Sequence, residues 1–115
     1  QLKAAARKGT RTVVITHVGG WAIPEYVEIA AWCRAQGYTL IEDAAHTIGV
    51  RTPDYVWPGS LGMGAVLSLY PTKAMPVGEG GVIITPHKSV AEHARRFRNY
   101  GKVMDGPKVT GYTSG

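Results

Sequence analysis

The sequence predicts an α/β domain built on a four-stranded, mostly parallel sheet whose last strand runs antiparallel to its neighbour. Two observations support this prediction. A β-branched run, Thr12–Thr16, is followed by a helical pattern and a second apolar run, which is the spacing of a right-handed βαβ unit. The last apolar run, 81–85, follows the third after about ten residues without a helical pattern, whereas a parallel return needs a dozen or more.

The predicted elements follow one another closely along the first two thirds of the chain. A helical segment over residues 1–8 ends at Gly9. The first strand is apolar on both faces, as expected for a strand buried in a parallel sheet. A helix then runs from Pro24 to about Gln36, because proline suits the first helical turn, and Gly37 ends it. The remaining strands are predicted at 38–42, 65–70 and 81–85.

The C-terminal part of the chain is predicted to contain one more helix and a tail. Ser89 and Glu92 have the spacing of a capping box, so the helix is expected to begin there and to end at Gly101. Its inward-facing residues are predicted to be Val90, Ala94 and Phe97. Residues 102–115, which include a Gly-Pro pair, are predicted to be a loop-like tail.

Composition favours an ordinary globular protein, with 44% hydrophobic and 18% charged residues. No apolar run approaches the ~20 residues that cross a bilayer, so no membrane partner is predicted. The net charge of +5 raises the alternative of a nucleic-acid surface at Arg95, Arg96 and Arg98. These arginines lie in the last turns of a predicted helix, where cations interact favourably with the helix dipole. A nucleic-acid partner is therefore not predicted.

The single cysteine, Cys33, cannot form an internal disulfide, so a cytoplasmic location is predicted. Cys33 lies in an apolar helical stretch and is predicted to be a small buried hydrophobe rather than a nucleophile. The chain lacks an initiator methionine and begins inside a helical pattern. Residues 1–115 are accordingly expected to be a single incomplete α/β domain.

Polar side chains of chemical interest follow three of the predicted strands. His17, Asp43 and Lys73 each lie at or just beyond the carboxyl end of a strand, where open parallel sheets collect their ligands. Asp43 and Lys73 have ordinary alternatives, as a helix N-cap and as a surface lysine, and His46, three residues after Asp43, has the alternative of a structural histidine. The spacing of the histidines, the cysteine and the acids does not predict a metal site.

Two motifs, taken together, resemble a known family. Ser68-Leu69-Tyr70-Pro71-Thr72-Lys73 leads into Gly78-Glu79-Gly80-Gly81, and Glu42-Asp43-Ala44-Ala45-His46 places its aspartate thirty residues before the lysine. This composite is similar to the DegT/DnrJ/StrS family of sugar aminotransferases, which use pyridoxal 5'-phosphate (PLP). The resemblance runs from about Thr12 to Gly101. It implies part of the large domain of a fold-type-I PLP enzyme.

The resemblance also implies a role for each site residue. Lys73 matches the Schiff-base lysine, which holds PLP and moves the substrate proton. Asp43 matches the partner of the ring nitrogen, and Ser68 matches a phosphate-contacting serine. His46 matches the residue that lies against the cofactor ring or its phenolic oxygen. His17, in a Thr-His-Val-Gly-Gly stretch found in similar form in some members, is expected near the cofactor hydroxyl or the substrate.

The parent enzyme implied by the resemblance transfers an amino group, from glutamate, to a keto sugar or a related carbohydrate ketone. The segment that grips the phosphate with helix N-terminal amides, and a downstream Asn-x-Arg region, have no match in this chain. PLP is therefore expected to bind weakly or not at all, and the chain alone is expected to be inactive. The bare strands Thr12–Thr16 and 81–85 predict a homo-oligomer. The alternative is a non-enzymatic α/β module or truncated relic that keeps the scaffold for self-association or partner binding.

Overall fold

The computed structural model describes residues 1–112 and contains a four-stranded sheet in the chain order β1-β2-β3-β4. Its first three strands are parallel, and β4 pairs antiparallel with β3. The predicted fold class is therefore confirmed. The strand bounds are β1 Thr12–Thr16, β2 Thr39–Asp43, β3 Gly64–Ser68 and β4 Gly81–Ile84, and the helix bounds are α1 Leu2–Ala5, α2 Tyr26–Gln36 and α3 Lys88–Phe97.

The register of the sheet brings the carboxyl ends of the parallel strands to one edge. Thr16 of β1 lies opposite Asp43 of β2, and Asp43 lies opposite Val66 of β3. Side chains alternate between the two faces of a strand. Asp43 consequently projects from the face opposite to that of its buried neighbour Glu42.

One face of the sheet packs against α2 and forms the core. The buried strand residues alternate with exposed ones, as the pattern of β1 shows. The helix ends where Gly37 adopts a positive φ of 70°, which glycine tolerates at no steric cost. The core cluster consists of Val13, Ile15, Tyr26, Ala30, Cys33 and Leu40.

The opposite face of the sheet leaves a row of apolar side chains in contact with solvent. Val14 and Ile41 are register partners, as are Val66 and Ile83. Their exposed fractions range from 38% for Ile41 to 64% for Val14. Parallel sheets normally bury both faces, so this row is an apolar surface larger than scattered single residues.

The tail differs from its prediction. Instead of a loop, residues 102–112 form a second sheet of two antiparallel strands, β5 Lys102–Asp105 and β6 Lys108–Tyr112. Gly106, with a φ of 55°, forms the turn between them. The Gly-Pro pair that suggested a loop is thus the turn of a hairpin between two short strands. The rest of the predicted tail, residues 113–115, lies outside the described residues.

Two details of the last helix also correct the prediction. The residue before α3 is His87, without a side-chain capping bond, so Ser89 lies inside the helix and the capping box is not formed. Phe97 was expected to point inward but is 72% exposed, and its ring stacks on His93 four residues earlier, at 6.4 Å between centroids. Residues four apart are neighbours on a helix surface, so this pair forms without a core to cover it.

Among residues 1–112, no helix combines the length and the hydropathy that a transmembrane span requires.

Candidate active site

A cavity of about 210 Å³ lies beyond the carboxyl edge of the parallel strands. Its walls are Gly19, His46, Thr72, Lys73 and Ala74. Segments that follow β1, β2 and β3 thus meet at one place, as expected for a ligand site in an open parallel sheet. The cavity brings a lysine amine, an imidazole and a hydroxyl together.

Lys73 is held in this position by the connection between β3 and β4. The Lys73 amide donates to the carbonyl of Tyr70 at 2.9 Å, which closes a turn. A hydrogen bond also joins the two ends of this connection, because the Leu69 amide donates to the carbonyl of Gly80 at 3.0 Å. Gly80 has a φ of 150°, a conformation that side chains disfavour. The backbone at Lys73 is thus fixed by hydrogen bonds, and the half-buried side chain leaves its amine accessible to solvent.

His46 reaches the cavity from the turn that follows β2. The amide of Thr47 donates to the carbonyl of Ala44 at 3.0 Å, and the Thr47 hydroxyl donates to the same oxygen at 3.1 Å. The ring itself accepts a hydrogen bond at Nδ1 from the backbone amide of Gly19 at 3.2 Å. Gly19, which follows β1, therefore orients the side chain of His46, which follows β2.

Asp43 and Ser68 are the last residues of the adjacent strands β2 and β3, and neither lines the cavity. Asp43 Oδ1 accepts the amide of Ala45 at 3.1 Å, so the carboxylate caps a turn and not the helix weighed as its alternative role. The Ser68 hydroxyl accepts the amide of Tyr70 at 3.3 Å and keeps its own proton as a donor. Both residues project from the same face of the sheet, since Asp43 is opposite Val66 and Ser68 is two residues further.

His17, predicted near a cofactor hydroxyl or a substrate, has its ring in the interior instead. The residue is 1% exposed. Its Nδ1 accepts the amide of Ile23 at 3.2 Å, and Nε2 faces Glu42 Oε2 at 3.4 Å. Both ring nitrogens are occupied, and the ring packs edge-on against Tyr26. The structure therefore brings His46 and Lys73 into one cavity but does not bring His17 there.

Glu42 is the residue that the sequence reasoning missed. It has no exposed surface, and its carboxylate accepts the amides of Gly59 at 2.6 Å, Gly62 at 2.7 Å and Leu61 at 3.3 Å. His17 faces the carboxylate as a fourth partner. The hydrogen bonds that a buried carboxylate requires are therefore supplied by the protein. The available signal was an acid at an inward position of a strand, two residues after the buried Leu40.

Tyr26 supports the same loop from the other side. Its hydroxyl oxygen accepts the amides of Leu61 at 2.9 Å and Ser60 at 3.1 Å. Burial, together with the nearby Glu42 carboxylate, raises the pKa of Tyr26 to about 12. Both causes act against the phenolate, because it is the charged form that loses hydration and is repelled by a carboxylate.

This shifted pKa predicts a pH dependence of stability. The unfolded tyrosine ionises near pH 10 and the folded one about two units higher, so the contribution is complete below pH 10 and is lost as pH rises towards 12. We expect the free energy of unfolding to fall by roughly 2 kcal/mol over that range, measured by urea denaturation. Tyr26→Phe should remove the fall, and Tyr55→Phe, at a 77% exposed position, should keep it. A wild-type stability that is flat between pH 10 and 12 would contradict the assignment.

Comparison of sequences identifies matches over nearly the whole chain. A family model described as the DegT/DnrJ/EryC1/StrS aminotransferase family matches residues 1–114. The chain is also 35% identical over 119 residues to a protein of Geobacillus stearothermophilus named "Pleiotropic regulatory protein". That match covers 99% of this chain and 31% of the other protein.

Solved structures agree with the sequence comparison. PseC of Helicobacter pylori, an aminotransferase involved in the biosynthesis of pseudoaminic acid, matches with a TM-score of 0.85 at 19% identity, over 98% of this chain and 31% of its own. DesI, solved in the presence of its TDP-sugar product, matches with a TM-score of 0.76 at 32% identity, over 88% and 25%. The chain thus spans at most 31% of each protein. The predicted fold class, a mixed α/β fold with a four-stranded sheet whose last strand is antiparallel, matches that of these fold-type-I aminotransferases.

Proposed function

Because the chain belongs to the DegT/DnrJ/EryC1/StrS aminotransferase family, we propose that it is the central part of the large domain of a PLP-dependent sugar aminotransferase. The proposed reaction transfers an amino group, from glutamate, to a keto sugar or a related carbohydrate ketone. The observation that supports it is the cavity at the carboxyl edge of the sheet, in which the Lys73 amine and the His46 ring are neighbours. The experiment that tests it is the addition of PLP to the chain and to its Lys73 variant.

The residues around the cavity fit PLP in chemical type. The cofactor needs an amine for its aldehyde, a flat group against its ring, a carboxylate for its ring nitrogen and donors for its phosphate. Inside the cavity Lys73 supplies the amine, and the His46 ring would lie against the cofactor ring or its phenolic oxygen. Asp43 and Ser68 supply the others from the ends of β2 and β3, on one face of the sheet. His17 is left out of this proposal because its ring nitrogens are bonded inside the core.

Each of these side chains would carry out one task. Bound PLP supplies an electron sink for the electron pair released when the substrate loses a proton from carbon. The Nζ of Lys73 would hold the cofactor covalently and, when free, would take the proton from the substrate carbon and return it. The Asp43 carboxylate would keep a proton on the ring nitrogen by accepting a hydrogen bond from its charged form. The Ser68 hydroxyl donates to the phosphate.

The sugar class of the substrate is proposed from the relatives. DesI was solved with its TDP-sugar product, and PseC is involved in the biosynthesis of pseudoaminic acid. The cations of this chain suit such a substrate, because a net charge of +5 attracts phosphate-bearing molecules. Glutamate as the amino donor and a carbohydrate ketone as the acceptor are parts of the same proposal.

Weak cofactor binding by the isolated 115-residue chain is a further expected result. Among the proposed contacts, Ser68 is the phosphate donor, whereas a full-length member of the family surrounds the phosphate with additional amides. Each charge-assisted hydrogen bond contributes roughly 1.5–3 kcal/mol, so the loss of two or three weakens binding by about a thousandfold or more. Absorbance titration beside a full-length member should show this difference. Steady transamination by the chain, abolished in Lys73→Ala, would contradict the prediction.

Self-association of the chain is proposed from the bare face and edges of its sheet. β1 and β4 are the edge strands, and the exposed face carries Val14 and Ile83. Sedimentation at high micromolar concentration should show a dimer or a larger oligomer. The double variant Val14→Lys/Ile83→Lys should shift it towards monomer, while Val109→Lys on the hairpin should not. A wild-type chain that sediments as a clean monomer would refute this expectation.

The cytoplasmic location stays a prediction, supported by the environment of Cys33. The thiol lies on the buried side of α2 in the core cluster, and burial raises its pKa. A thiol that resists ionisation is a poor nucleophile and suits its predicted role as a small hydrophobe.

A further inference from the structure

The imidazole of His46 has its proton position set by a backbone amide. The amide of Gly19 can only donate, so the hydrogen bond of 3.2 Å requires an unprotonated Nδ1. The neutral ring then carries its proton on Nε2. Nδ1 is occupied by Gly19, and Nε2–H is the donor left for a ligand in the cavity that His46 shares with Lys73.

The position of Gly19 depends on the residue two places before it. Gly19 belongs to a short 3₁₀ turn, Val18–Gly20, that directly follows His17. The turn can lie this close to His46 because both of its glycines have positive φ, and a Cβ on Gly20 would be 3.2 Å from the His46 carbonyl oxygen. An anchor on His17 therefore sets where the Gly19 amide points.

His17 is anchored by two hydrogen bonds that also define its own tautomer. The Ile23 amide donates to Nδ1, so the neutral ring carries its proton on Nε2, the nitrogen that faces the Glu42 carboxylate. In addition, the His17 amide donates to the carbonyl of Asp43 at 3.0 Å. The start of the turn is thus bound both to the buried carboxylate and to the end of β2.

We propose that Glu42 and His17 are positioning residues that act through the Val18–Gly20 turn to hold His46 as its Nε2–H tautomer. In this form His46 donates a hydrogen bond to an acceptor oxygen of the bound ligand. The inference rests on the proposed function only for the identity of that oxygen, which would be the phenolic oxygen of PLP. The hydrogen-bond chain itself is a property of the chain without ligand, and it is testable there.

Nuclear magnetic resonance of the 15N-labelled 115-residue chain tests the proposal directly. At about pH 8, the tautomer of a neutral imidazole ring is visible in long-range proton–nitrogen correlations. We expect His46 Nδ1 to be of the acceptor type, with a measurable coupling across the hydrogen bond to the Gly19 amide nitrogen. His46→Gln should remove both signals and so assign them. A folded wild-type chain without the coupling, or with the proton on Nδ1, overturns the proposal.

Variants of the anchor decide whether it positions His46 or only stabilises the core. Glu42→Gln and His17→Phe should lose the coupling, and the Gly19 amide should exchange with solvent at least tenfold faster. His17→Gln should keep the coupling, because its amide can accept from Ile23 and donate to Glu42. Glu92→Gln, at a surface ion pair, should change nothing. The proposal is overturned if Glu42→Gln or His17→Phe folds and keeps the coupling between His46 and Gly19. It is also overturned if His17→Gln folds and loses this coupling. If Glu42→Gln and His17→Phe fail to fold, the result for His17→Gln decides.

Addition of PLP separates this inference from the proposed function. If the chain binds PLP, the Nε2–H resonance of His46 should shift on saturation in the wild type, while the Nδ1 coupling to Gly19 persists. If PLP does not bind while the coupling is present, the proposed function fails and the positioning of His46 stands. If PLP binds and the Nε2–H resonance does not move, the role of His46 as a donor is refuted.

Discussion

Replacement of Lys73 by alanine is expected to abolish the yellow absorbance band, at about 400 nm, that PLP develops when its aldehyde is bound by a protein amine. The loss of the band should be complete, because the covalent bond needs the Nζ atom. Among the described residues that line the cavity, Lys73 is the one lysine. Difference absorbance spectra of the two proteins, recorded at equal PLP concentrations against the same concentration of free PLP, measure it.

The matched control is Lys88→Ala, which removes an amine of the same kind from the surface of α3. The side chain of Lys88 is 89% exposed, and its amine lies 3.8 Å from Glu92 in a surface ion pair, which contributes little to stability. It should keep the band at wild-type intensity. A band of equal intensity in Lys73→Ala would show that PLP reacts with surface amines and not at the cavity.

The second large effect is on stability, and we expect Glu42→Ala to unfold the chain or come close to it. The variant leaves the amides of Gly59, Leu61 and Gly62 buried without their acceptor, and it takes from His17 the partner of its Nε2. Removing one side of a buried charge network costs roughly 3–5 kcal/mol, out of a total stability of about 5–15 kcal/mol for a domain. Chemical denaturation followed by circular dichroism provides the measurement.

Two further variants give this prediction its controls. Glu92→Ala removes an acid from the surface of α3 and should change stability by less than about 0.5 kcal/mol. Gly62→Ala should also lower the free energy of unfolding strongly. The added Cβ would be 2.7 Å from the Leu40 carbonyl oxygen and 2.9 Å from Glu42 Oε1, which is too close for either contact. Glu42→Ala with wild-type stability would mean that the amides find other acceptors and that the carboxylate does not hold the loop.

The sheet was predictable because its information is local. Periodicity locates each strand to within two residues, and the short connection between β3 and β4 leaves only an antiparallel return. The hairpin at 102–112 was missed because its strands are only four and five residues long, and its Gly-Pro pair is typical of loops as well as of hairpin turns. Phe97 was misplaced because helical periodicity gives a face but cannot say whether any element covers that face.

The candidate site was predictable only in part, for a physical reason. Motif spacing puts His46 and Lys73 near one sheet edge, and the cavity they share agrees with that expectation. The interior position of His17 depends on contacts with Ile23 and Glu42, one of them 25 residues away, and periodicity carries no such information. Glu42 was overlooked because a buried carboxylate becomes favourable only through donors from residues 59–62, a loop without sequence periodicity.

The central claim, that this chain holds PLP through Lys73, is tested most directly by trapping the cofactor and finding where it is attached. The chain is incubated with PLP, the covalent bond is reduced with borohydride, and the modified residue is located by peptide mass spectrometry. We predict that the phosphopyridoxyl group is found mainly on Lys73, and that exposed lysines such as Lys88 carry much less of it. Equal modification of several lysines, or none of Lys73, would contradict the account.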